Sequence, residues 1–115
     1  MALNKGDIVL SQFPFTDLSQ TKLRPALVLH TSIIKNEVTL CFISSQKIDQ
    51  LSDSEFALLD SDPEFSSTGL RSSSKVRVSR IVTLNYQLTS RKLGKLGNYH
   101  LKILDTTLNQ AFNLL

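Results

Sequence analysis

The sequence predicts a small, mainly β domain, a compact barrel closed by one C-terminal helix. Three observations carry that expectation. Short aliphatic runs bounded by Gly, Pro, Asn and Ser recur along the chain as far as Leu84. The segment Ser74 to Leu84 alternates apolar and polar residues with the period of a strand. Only after Asn98 does the apolar spacing change to three and four, at Leu101, Leu104, Leu108, Ala111 and Leu115, which marks one face of a helix. Several short strands and one helix in 115 residues fit a single domain, residues 1–115, with one modest core.

The first two strands are read from Ile8-Val9-Leu10 and Ala26-Leu27-Val28-Leu29. The polar connection between them contains Pro14 and ends at Arg24-Pro25. Proline has no N–H for a ladder, so it is expected at an edge or at the first residue of its strand. The residue before it is pushed to extended backbone, which holds Arg24 at a strand mouth. On spacing alone, such an arginine serves most often as a solvated guard against edge pairing.

His30-Thr31-Ser32 and Lys35-Asn36 frame a turn, and Glu37 to Ile43 forms the next strand. It runs into Ser44-Ser45-Gln46, whose hydroxyls, without further information, are turn formers. Lys47 to Ser67 is rich in Ser and Asp and reads as a long loop holding one short strand, Glu55 to Leu59. In Ser74 to Leu84, Val76, Val78 and, after a phase shift, Ile81 are apolar, while Lys75, Arg77 and Ser79 alternate with them, as in a half-buried strand with a basic outer face. Gly94 and Gly97 punctuate the approach to the helix, Asn98 is its expected N-cap, and His100 is expected at the surface.

The single cysteine, Cys41, lies in an apolar strand and reads as a core residue of a reducing cytoplasm. No apolar targeting region or membrane-length run is seen, so a cytoplasmic location is expected. There is no phosphate-cradling glycine loop and no Cys/His cluster with metal spacing. The net charge of +3 hides a strong asymmetry. Six of the ten acids and no base lie between Asp49 and Glu64, whereas Phe65 to Leu104 holds eight bases and no acid. Such a basic block is either a footprint for a polyanion or a solvated face balanced by the acidic loop.

Gly6-Asp7-Ile8-Val9, Phe13-Pro14-Phe15-Thr16-Asp17 and Lys22-Leu23-Arg24-Pro25, in that order, resemble the opening of the MazF/PemK-like toxin endoribonucleases. Thr68-Gly69-Leu70 followed by Ser74 to Leu84 resembles a second segment of the same family. The resemblance spans nearly the whole chain. It implies an SH3-like β-barrel of the MazF/PemK type, usually a homodimer. It also implies metal-independent, cofactor-free cleavage of single-stranded RNA, restrained by a cognate antitoxin protein. Arg24, Ser44 and Arg77 fall on positions of its catalytic set. Phe13, Phe15, Thr16, Ser45, Gln46, Arg71, Lys75 and Ser79 are the expected substrate contacts, the two phenylalanines by stacking on unpaired bases. The family commonly has Asp or Glu where this chain has Ser79. A serine hydroxyl does not replace a carboxylate as general base unless something activates it. The proton acceptor is therefore unassigned, and a second reading stands beside the first: a barrel that binds nucleic acid or an antitoxin peptide without cutting.

Overall fold

The computed structural model describes residues 2–13 and 22–114. Phe15 and Thr16, and with them most of the Phe13–Asp17 motif, lie outside the described residues. The strands are β1 (Asp7–Gln12), β2 (Leu23–Ser32), β3 (Glu37–Ser44), β4 (Glu55–Leu58), β5 (Ser74–Asn85) and β6 (Thr89–Lys95). Helix α1 (Asn98–Phe112) follows. All strand pairs are antiparallel, and they form one sheet in the order β4-β5-β3-β2-β1-β6.

The mainly β fold with one C-terminal helix is as expected; full closure into a barrel is not. Among the described residues β4 and β6 do not pair, so the sheet stays open. The 3₁₀ turn Phe65–Thr68 packs against β6 there. Its Ser67 hydroxyl donates to the Lys95 carbonyl of β6 at 3.1 Å. Edge backbone is thereby covered without strand pairing.

Alternation along the strands splits the apolar side chains into two cores, one on each face of the sheet. Ile8, Leu27, Cys41, Ile43, Phe56, Val76 and Val78 gather beneath Leu104 of α1. Val9, Ala26, Val28, Val38, Leu40, Phe13 and Leu84 form the second. Burial pushes the Cys41 thiol up to about 12, which keeps it protonated and inert in the core. Among the described residues no helix is long and apolar enough to cross a membrane.

Three features depart from the reading of the sequence. Thr89–Lys95 is a strand, although Leu93 is its one large apolar residue; β1 recruits it, pairing Asp7 with Lys95 and Leu10 with Arg91. The N-cap of α1 is Gly97, not Asn98, and no side chain of the cap residue closes it. Instead Glu64 reaches in from the preceding loop and accepts from the Tyr99 N–H at 3.2 Å, a carboxylate at the positive end of the helix dipole. His100 is buried beside it rather than at the surface, with Nε2 3.3 Å from an Asp62 oxygen. The long acidic loop thus docks on the helix start, which its composition did not reveal.

A candidate nucleic-acid cleft

Proline 25 decides where the sheet opens. β2 pairs with β1 through Leu10–Pro25 and Ser11–Arg24, but on its other side the ladder to β3 ends at Ala26–Phe42. Pro25 therefore sits inside a central strand, and its missing N–H falls where the β3 ladder has already stopped. Continued past that pair, the same register would set Arg24 opposite Ser44. β3 itself continues to Ser44, still paired with Lys75 of β5. The two strand ends leave a cleft of about 560 Å³, within the usual range of ligand sites.

Arg24, Ser44, Ser45, Gln46, Arg71 and Arg77 all line this cleft. Residues far apart in the chain, expected at the substrate, are thus brought together. The Ser44 hydroxyl accepts from the Gln46 N–H at 3.1 Å, so its own proton remains for a ligand. Phe13 also lines the cleft, but it is 5% exposed and packs on Phe42 with ring centroids 4.7 Å apart. Most of its face is therefore spent on the core.

Two expected contacts lie elsewhere. Lys75 is 8% exposed, and its Nζ is occupied by the Gln50 carbonyl at 3.0 Å and by Glu55 at 3.1 Å. Ser79 falls in an irregularity of β5. The ladder steps from Cys41–Ile81 to Phe42–Arg77, so Val78, Ser79 and Arg80 bulge out. The Val78 N–H donates to the Ser54 carbonyl at 2.9 Å, and the Ser79 hydroxyl lies 3.1 Å from that of Ser54. The phase shift legible in the sequence is this bulge, and it carries Ser79 away from the cleft lining.

The structure also adds residues that sequence reasoning did not reach. Arg91 and Leu93 of β6, together with Leu70 and Ser74, are among the further lining residues. Arg91 belonged to the basic block, but only its pairing with Leu10 places it at the cleft. Among the described residues four arginines and no carboxylate line the walls, a field that gathers polyanions. Behind Arg77, directly opposite on β4, stands Glu55. Its carboxylate accepts from Arg77 Nε at 3.0 Å, from Lys75 and from the Ser52 N–H at 3.0 Å. Burial alone would raise its pKa, but the Ser52 N–H and the two cations outweigh burial and hold it below the ordinary carboxylate value. Among the described residues no group of three or more His, Cys, Asp and Glu side chains is arranged to hold a metal ion.

An open antiparallel sheet with an arginine- and hydroxyl-lined cleft at the ends of two splayed strands defines a small β protein suited to a phosphodiester ligand. Residues 4–112 match the family described as PemK-like, MazF-like toxin of type II toxin-antitoxin system, and the chain belongs to that family. Among solved structures it is similar to an endoribonuclease in complex with its cognate antitoxin from a mycobacterial species. That match has 16% identity and a TM-score of 0.75, over 99% of this chain and 98% of that one. It is also similar to the Mycobacterium tuberculosis toxin MazF-mt6, with 21% identity and a TM-score of 0.71, over 93% of this chain and 96% of that one. At these identities the likeness speaks for the fold. No curated protein matches the sequence.

Proposed function

We propose that the chain is the toxin of a type II toxin–antitoxin pair and acts as an endoribonuclease on single-stranded RNA. The observation that carries this reading is the convergence of Arg24, Ser44 and Arg77 from three strands on one cleft. Membership of the toxin family supports it, as do the names of the structural neighbours.

The chemistry follows from what the cleft contains. RNA carries its own nucleophile, the ribose 2′-OH next to the scissile phosphate. Attack of that oxygen on phosphorus forms the new P–O bond, and the bond to the 5′-oxygen breaks. The 2′-OH gives up a proton and the leaving 5′-oxygen takes one up, leaving a 2′,3′-cyclic phosphate and a 5′-OH. Between these steps the phosphorane gains negative charge on its non-bridging oxygens. Arg24 and Arg77 supply planar, permanently charged forks that match two such oxygens. A guanidinium keeps its charge throughout, which makes it a clamp and not a proton donor. Ser44, whose hydroxyl oxygen is already engaged by Gln46 N–H, donates to the same group. Donors fixed before the reaction stabilise the developing charge without reorganising.

Ser45, Gln46, Arg71 and Arg91 extend the cleft along the backbone of a bound strand. Backbone contacts supply affinity without sequence information. An acidic antitoxin segment fits the same field, and a homodimer is the assembly we assign to the chain.

Incubation of end-labelled single-stranded RNA with the purified protein in EDTA tests the reading. Fragments ending in a 2′,3′-cyclic phosphate are expected. Tight binding of the RNA with no cleavage at any protein concentration would instead support a binding module without chemistry.

A further inference from the structure

No carboxylate among the described residues lines the cleft, yet one is built into its support. Glu55 opens the four-residue edge strand β4 and lies directly across the ladder from Arg77. Its side chain is 9% exposed, while that of Arg77 is 38% exposed. One carboxylate oxygen takes Arg77 Nε at 3.0 Å; the other takes Lys75 Nζ and the Ser52 N–H. Both carboxylate oxygens are thus engaged in holding something in place. Among the described residues Arg77 makes no other hydrogen bond, so both terminal guanidinium nitrogens remain for a ligand in the cleft.

We propose that Glu55 is the positioning residue for Arg77, gripping Nε so that the terminal nitrogens meet the scissile phosphate in one orientation. The proposal rests on reading the cleft as the phosphate site. A free arginine loses much rotamer freedom when it clamps a ligand, whereas one already held at Nε loses less per bond formed. Glu55 never meets the substrate in this account. Its negative charge opposes RNA binding electrostatically and so offsets what preorganisation adds to affinity, which leaves the net benefit in rate. This pattern separates positioning from simple neutralisation of the buried Lys75.

Removal of Glu55 alone would strand the buried Lys75 charge and risk unfolding. The test therefore compares Lys75→Met with the double variant Glu55→Ala/Lys75→Met, each with Arg77 intact and with Arg77→Ala. Glu55→Gln is a further variant that keeps the side-chain shape. Three readouts are taken: the ¹H–¹⁵N signal of Arg77 Nε–H, single-turnover cleavage of RNA, and binding of an RNA whose cleavage-site ribose is 2′-deoxy.

With Lys75→Met the Nε–H signal should stay sharp and protected, and cleavage should stay near that of the parent. In the double variant the signal should broaden or exchange away. Cleavage should then fall on the order of 10- to 100-fold, the scale of a mispositioned group, with binding of the deoxy strand undiminished. Glu55→Gln should lie between. In the Arg77→Ala background the loss of Glu55 should add nothing.

An unchanged Nε–H signal with unchanged cleavage would overturn the proposal, as would an equal loss of rate with and without Arg77. Should the parent protein cut no RNA at all, the enzymatic reading fails. The Nε–H signal and the binding arm still decide whether Glu55 orders Arg77.

Discussion

Arg24 faces solvent at the point where the β2–β3 ladder stops, with Ser44 across the gap. An exposed charge there adds little to stability, about 0–1 kcal/mol, but as a transition-state clamp it should govern rate. Arg24→Ala is expected to lower single-turnover cleavage by about 10²–10³ while leaving the thermal midpoint nearly unchanged. Wild-type cleavage by the folded variant would remove Arg24 from the site. Glu55 gives a pH signature of its own. Because its folded pKa lies below the ordinary value of 4.5, its contribution to stability is present above that value and fades as pH falls through the folded value. The drop in melting temperature below about pH 4.5 should therefore be shallower in Glu55→Gln than in the parent, although Glu55→Gln is less stable at neutral pH. Parallel acid limbs would show that the carboxylate is not held as described.

At the scale of elements, strands with apolar runs were legible, and so was the helix from its three-and-four spacing. β6 was not, because Thr89–Lys95 has no alternating apolar face and owes its form to β1. Closure into a barrel was likewise beyond the sequence, since it depends on whether β4 and β6 meet. Within the site, the motif around Arg24-Pro25 and the serines at the end of β3 led to the cleft. Lys75 and Ser79 misled because alternation gives a face but not what occupies that face. A buried carboxylate and a bulge redirect them. Glu55 carried no signal in a stretch rich in acids, and only the cross-strand register reveals its partner.

Gly69 tests how the 3₁₀ turn, β6 and the cleft depend on each other. Its φ is +72°, and a Cβ there would lie 2.1 Å from the Leu93 carbonyl oxygen. Gly69→Ala must push β6 away or distort the turn, at a cost above about 1 kcal/mol. Since Leu70, Arg71 and Leu93 all line the cleft, cleavage should fall together with the melting temperature. Loss of neither would mean that the turn is free to yield.

Seen whole, the molecule separates its charge: the acidic loop docks on α1 and behind Arg77, and four arginines line the open cleft. That polarity predicts partners as well as substrate. Association with an acidic antitoxin peptide should slow as salt rises, because surface attraction is screened over about 10 Å at 0.1 M. Salt-independent association would point to an apolar interface instead. The proposed homodimer would make an isologous contact, and sedimentation at micromolar concentration should give twice the 12.9 kDa chain mass; monomer alone would contradict it.

In the proposed reaction RNA is cut by its own 2′-OH within this cleft. The most direct measurement compares two strands that differ by one oxygen, an all-RNA substrate and the same strand with a single 2′-deoxyribose 5′ to the scissile phosphate. Phosphate contacts dominate affinity, so both should bind nearly equally in EDTA. Only the all-RNA strand should be cut, leaving a 2′,3′-cyclic phosphate. Cleavage of the deoxy-substituted strand at that phosphate would contradict the account.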